Sequence, residues 1–131
     1  MNRELKFRAW DNETKEMIYA TERHGHQECY FDFRGNKFVL LQHQEDDYPR
    51  DVDAVIMQYT GLKDKNGREI YEGDIVKVRG RKRIGSYRTE IIYSGLGFKL
   101  KENKTYLLDY HLVSPMIEVI GNIHENPELL S

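Results

Sequence analysis

A chain of 131 residues with a net charge of −2, 39% hydrophobic and 32% charged, has the make-up of a globular protein that can bury one moderate core or two small lobes. That composition excludes a disordered chain, and no apolar run approaches the roughly twenty residues of a membrane-spanning helix or forms an N-terminal signal core. The single cysteine, Cys29, excludes an internal disulfide and fits a reducing compartment, so the expected location is the cytoplasm.

Near the N-terminus, Leu5, Phe7 and Ala9 alternate with Lys6, Arg8 and Trp10, the period-two pattern of a strand with one face buried. Asp11 to Lys15 reads as a turn and Glu16 to Ala20 as the return strand of a first hairpin. Cys29 to Phe33 and Lys37 to Gln42 flank Arg34-Gly35-Asn36 and predict a second hairpin. Gln42 to Asp53 is polar, acidic and carries Pro49, which predicts an exposed loop. The apolar, β-branched run Ala54 to Tyr59 predicts another strand. Asp64-Lys65-Asn66-Gly67 then supplies turn residues that favour a first turn position or tolerate positive φ. Glu69-Ile70-Tyr71 returns, Gly73-Asp74 breaks direction, and Ile75 to Arg79 continues as a strand.

Further on, Tyr87 to Tyr93, Phe98 to Lys101, Thr105 to Leu108 and Ile117 to Ile123 are strand candidates separated by turn chemistry. Short strands at this spacing predict a small curled sheet, because twisted antiparallel strands reduce exposed edges by closing on themselves. Gly121 inside the last strand predicts a bulge. Asn126 and Pro127 predict a cap and first position for one terminal helical turn. No window of eleven residues keeps the spacing of an amphipathic helix. The expected fold is therefore mainly β, with an N-terminal hairpin lobe over 1–72 and a C-terminal SH3-like barrel lobe over 73–131.

Three blocks, LKFRAWDNETKEM from Leu5 to Met17, QYTGLKDKNGREIYEGDIVKV from Gln58 to Val78 and EVIGNIHENPEL from Glu118 to Leu129, closely resemble the YopX family, small proteins encoded by bacteriophages and by prophages of Gram-positive bacteria. The resemblance implies a mainly β fold and a phage setting. It brings no established activity and no functional residues to carry over.

The charge is unevenly spread. Residues 1–72 hold 11 Lys or Arg against 15 Asp or Glu, net −4, and residues 73–131 hold 9 against 7, net +2. From Lys77 to Thr89 the chain carries Lys77, Arg79, Arg81, Lys82, Arg83 and Arg88 and no acid. On a strand Lys77, Arg79 and Arg81 share one face, with Lys82-Arg83 at a hairpin tip, which is a phosphate-contacting arrangement. Outward-facing Tyr87, Tyr93 and Phe98 would add stacking surfaces of the kind small barrels use on single strands. A basic edge hairpin can instead serve only to discourage strand pairing between molecules.

Other chemistry is less well supplied. His24, His26 and Glu28 would share a strand face, with His43, Asp46 or Asp47 as a fourth metal ligand, but a solvated polar turn explains the same residues, and no metal or other cofactor is expected. The acid pairs Asp46-Asp47, Asp51-Asp53 and Glu69-Glu72 read as solvated loop charges before they read as a catalytic dyad. Gly95-Leu96-Gly97 lacks the Gly and Lys of a phosphate loop, and there is no Gly-x-Ser-x-Gly elbow. No catalytic residues are assigned. Nine Tyr, five Phe and one Trp in so short a chain favour a non-enzymatic, self-associating binding or assembly module, since aromatic side chains concentrate at interfaces. A nucleic-acid-binding accessory protein using the basic stretch 77–88 is the alternative.

Overall fold

The structure, a computed structural model, describes residues 4–19, 23–24, 27–45, 48–79, 85–102, 106–107 and 116–131. Regular structure among them is mainly β, as the sequence predicts. The chain forms two compact units, one ending at Gln58 and the other beginning at Tyr59. No described helix is long and apolar enough to cross a membrane.

In the first unit, β1 (Phe7–Asp11) pairs with β2 (Glu16–Tyr19) and, on its other edge, with residues 54–58 of β7 (Ala54–Lys63). The turn between β1 and β2 is an Asx turn: Asp11 Oδ1 accepts the Glu13 N–H at 2.9 Å, and Lys15 closes it at a φ of 59°. Being paired on both edges, β1 is a central strand. Arg8 and Trp10 are buried along with Ala9, so both faces of β1 are covered, where the alternation alone predicts one exposed face.

The rest of this unit is a sheet in the order β3 (Arg23–His24), β4 (Gln27–Arg34), β5 (Lys37–Gln42), β6 (Arg50–Asp51). Gly35, at a φ of 61°, turns β4 into β5. Ala9, Ile18, Cys29, Leu40 and Val52 form the core, with Phe31, Ala54 and Ile56 packed on it. The segment predicted as an exposed loop is shorter than 42–53. Gln42 is buried and accepts the Arg50 guanidinium at 3.0 Å, and buried Val52 donates its N–H to the Leu40 carbonyl at 3.0 Å.

In the second unit, residues 59–63 of β7 turn through 64–67 into β8 (Glu69–Tyr71), with Gly67 at a φ of 79°. The chain then reverses at Gly73, where Asp74 Oδ2 accepts the Tyr71 N–H at 2.7 Å. Next come β9 (Asp74–Val78), β10 (Tyr87–Ser94), β11 (Gly97–Leu100) and β12 (Ile117–Asn122), ordered β11-β10-β9-β12 in an antiparallel sheet that curls into a half-barrel. Ile70, Val76, Val78, Ile91, Leu100, Leu107, Ile117 and Val119 fill its concave side.

The predicted Gly121 bulge is present as a register shift between Val119 and Gly121. Pro127 begins a 3-10 turn, Pro127–Leu130. Asn126 stands at its cap position without a capping side-chain bond, because its Oδ1 accepts the Asn122 N–H at 3.2 Å instead. Of the strand expected over 105–108, only Tyr106 and Leu107 are described: Tyr106 makes a lone bridge to Lys99, and Leu107 is a buried core residue.

Candidate functional site

β9 lies between β10 and β12, and the pairing register decides which charges meet. Lys77 is the Cα partner of Arg88 on β10 and of Glu118 on β12. Directly paired residues point to the same side of a sheet, with Cβ atoms about 4.5–5.5 Å apart. Glu118, Lys77 and Arg88 therefore stand in one row on the convex face, while Val76 and Val78 point into the core. Arg79 continues the line beyond the strand end, its N–H donated to the Met116 carbonyl at 2.8 Å.

Lys65 joins them from the turn after β7. Its own N–H bonds the Ile117 carbonyl at 3.0 Å, and next to it Asp64 Oδ2 accepts the Val119 N–H at 2.8 Å, so the turn is clamped onto β12. Lys65 Nζ then lies 3.3 Å from Glu118 Oε2. Both side chains are partly exposed, and such a pair contributes only about 0–1 kcal/mol to stability, so it can rearrange around a ligand at little cost. Lys65, Lys77, Arg79, Ser86, Met116 and Glu118 enclose a cleft of about 340 Å³.

Four cations, Lys65, Lys77, Arg79 and Arg88, thus surround one carboxylate. Lys77 and Arg79 are exposed and have no ion-pair partner among the described residues. Arg88 Nη1 donates to the Leu129 carbonyl at 3.4 Å, which satisfies part of the guanidinium and leaves its charge on the face. Chemically, this is a surface for an anion: lysines act as mobile point charges and arginines offer paired donors to phosphate oxygens.

Of the six basic residues singled out in the sequence, Lys77 and Arg79 share a face as the alternation predicts, and Arg88 joins them through the β9–β10 register. Arg81, Lys82 and Arg83 lie outside the described residues. The expected aromatic platform is not on this face. Tyr87 and Phe98 pack against the core; Tyr93 is exposed and stacks edge-on with Phe98 at 5.2 Å, but it shares strand parity with buried Thr89 and Ile91, opposite to Arg88. Lys65, Ser86, Met116 and Glu118 were not singled out. Their only signal is the turn chemistry at 64–67 combined with a pairing register that one sequence does not contain.

The other candidate sites divide. His26, Asp46 and Asp47 lie outside the described residues, as do the side chains of His24 and Glu28. Asp51 pairs with Arg34 at 3.4 Å and Asp53 accepts the Asn12 amide at 3.2 Å, both at exposed positions. Cys29 is buried on β4, and its thiol is pushed above its ordinary value of 9.0 by burial first and by the nearby Asp11 charge second, with Arg50 opposing. That keeps it a protonated, unreactive thiol at neutral pH.

Fold and face together define a mainly β protein whose half-barrel unit carries a cationic cleft on its convex side. The chain belongs to the YopX family, whose model matches residues 6–131. It is similar over 99% of its length to the crystal structure of an Enterococcus faecalis protein, with 32% identity, a TM-score of 0.63 and 100% of that chain covered. It is also similar to the crystal structure of YopX from Bacillus subtilis, with 25% identity, a TM-score of 0.67 and coverage of 96% and 98% of the two chains. Among curated proteins none matches the chain.

Proposed function

We propose that this YopX-family protein is a phage- or prophage-encoded, non-enzymatic accessory protein of the cytoplasm that holds the phosphate backbone of nucleic acid on the convex face of β9 and β10. One observation carries the reading: Lys77 and Arg79 stand without ion-pair partners among the described residues, in a cleft shared with Lys65, directly before a stretch that adds Arg81, Lys82 and Arg83. Sequence alone favours self-association; the convergence of these cations moves the weight to nucleic acid. Among the described residues of β9 and β10 no aromatic shares this face, so charge rather than base stacking supplies the affinity, and binding is indifferent to sequence.

The test is fluorescence anisotropy with labelled oligonucleotides between about 50 and 200 mM salt. Replacing Lys77 and Arg79 with Ser should weaken binding to every sequence alike and reduce the slope of log K against log salt by about 0.7–0.9 for each phosphate that is no longer neutralised. Substituting Arg81, Lys82 and Arg83 in the same way should reduce it further. Binding that is unchanged by both sets of substitutions refutes the reading.

Self-association is the second reading, supported by large apolar side chains left exposed on strands and at a hairpin tip: Phe33 at 67%, Tyr93 at 57% and Leu96 at 94%. Covering such side chains in a symmetric homo-oligomer is the commonest arrangement among soluble assemblies. Light scattering or sedimentation at micromolar concentration decides it, and a monomer mass that does not change with concentration refutes it.

A further inference from the structure

Resting on the nucleic-acid reading, we propose that Glu118 makes the cleft selective for a ribose–phosphate unit, so that the protein binds RNA in preference to DNA. A cleft built only for phosphate gains nothing from a carboxylate, which repels the ligand. Yet Glu118 lines this one, opposite Lys77 in the ladder and beside Lys65. Its Oε2 is 3.3 Å from Lys65 Nζ, while its Oε1 has no hydrogen bond or ion pair among the described residues and its side chain is 34% exposed. A carboxylate oxygen open to a cationic cleft calls for a ligand that brings a donor as well as an anion.

In a nucleic-acid backbone the only such donor is the 2′-hydroxyl, which DNA lacks. An O–H donated to a carboxylate is among the stronger hydrogen bonds, roughly twice a neutral one. Base edges also carry donors, but among the described residues that line the cleft none is aromatic and could stack a base. Its volume of about 340 Å³ is at the small end of the roughly 300–1,000 Å³ range of ligand sites. A sugar and its phosphate fit that space, with phosphate on Lys77 and Arg79 and hydroxyl on Glu118. Deoxyribose would leave the carboxylate facing the phosphate with no compensating bond, and sites built to bond a hydroxyl reject ligands that lack it.

The experiment compares single-stranded oligouridine with oligodeoxyuridine of equal length, which differ only in the sugar, on the full chain. Wild-type protein should bind the RNA about tenfold more tightly, the value of one hydrogen bond to a charged group. Glu118→Gln should tighten DNA binding and shrink the preference to about threefold, since the amide oxygen still accepts a neutral hydrogen bond but loses the charge. Lys65→Ser breaks the same ion pair and should weaken both polymers alike, leaving the ratio intact. Equal wild-type affinities, a preference that survives Glu118→Gln undiminished, or a ratio that disappears equally in Lys65→Ser would each overturn the inference while leaving the nucleic-acid reading standing. Failure to bind either polymer would overturn both.

Discussion

Asp64 and Val119, 55 residues apart, are joined by a 2.8 Å hydrogen bond from the Val119 N–H to the buried Asp64 Oδ2. The other carboxylate oxygen, Oδ1, accepts the N–H groups of Asn66 at 2.9 Å and Arg68 at 2.8 Å. One side chain therefore shapes the 64–67 turn and fastens it to β12, which is what brings Lys65 to Glu118.

Removing that carboxylate leaves three N–H groups without their acceptor. Only the Val119 N–H is buried, while Asn66 and Arg68 are exposed turn residues whose N–H groups water can reach, so Asp64→Ala should destabilise the protein by about 1–3 kcal/mol, a fall in Tm of roughly 5–10 °C. A conservative Asp64→Asn should lose less, because one carbonyl oxygen can still accept while the new amide N–H₂ faces a donor. Thermal unfolding of the two variants checks the order. Indistinguishable melting of Asp64→Ala and wild type would show that water or a rearranged turn replaces the carboxylate.

Much of this fold is legible locally. The 64–67 turn, the Gly35 hairpin, the alternation of Lys77 and Arg79 around inward Val78, and the Gly121 bulge all follow from residue type and period. What is not legible depends on pairing between distant segments. Arg8 and Trp10 look exposed in a period-two pattern but are buried, so both faces of β1 are covered, which no local period records. Gly61, at a φ of 87° within the register shift between Tyr59 and Lys63, is a missed bulge signal of the kind recognised at Gly121. The cleft itself is half legible. Its cations announce themselves as a basic run, whereas Lys65 and Glu118 enter through the Asp64 clamp and the β9–β12 register, neither of which is encoded in any single window of sequence.

A Cβ at Gly121 would sit 2.6 Å from Asn126 Oδ1 and 2.9 Å from both Cβ and Cγ of the same residue. Such distances force a shift, and overpacking of this kind costs about 1–3 kcal/mol. The same Asn126 side chain accepts the Asn122 N–H, so it cannot swing away without losing that bond. Gly121→Ala should lower the denaturation midpoint accordingly, and Asn126→Gly introduced beside it should cost less than the two single changes added together. Strict additivity in urea unfolding would mean that the clash is relieved elsewhere.

Alkaline pH should act on the fold through Cys29. Its folded thiol is raised above the ordinary value of 9.0, chiefly because burial disfavours the thiolate and secondarily because the Asp11 carboxylate repels it; Arg50 only partly offsets both. An acid held protonated in the folded state binds its proton more tightly there than in the unfolded chain. Its contribution to stability is therefore complete below the unfolded value and is lost as pH rises from about 9 through the folded one. Wild-type stability should fall more steeply above pH 9 than that of Cys29→Ala, which has no thiol to ionise, although the alanine variant starts lower because it leaves space in the core formed with Ala9, Ile18, Leu40 and Val52. Asp11→Asn should leave the onset near pH 9 and make the loss smaller, because removing the carboxylate charge brings the folded thiol closer to its unfolded value. Urea unfolding at intervals between pH 7 and 10.5 (roughly the span over which a thiol of this kind titrates) measures all three, and parallel pH profiles for wild type and Cys29→Ala would show that the thiol plays no part in alkaline unfolding.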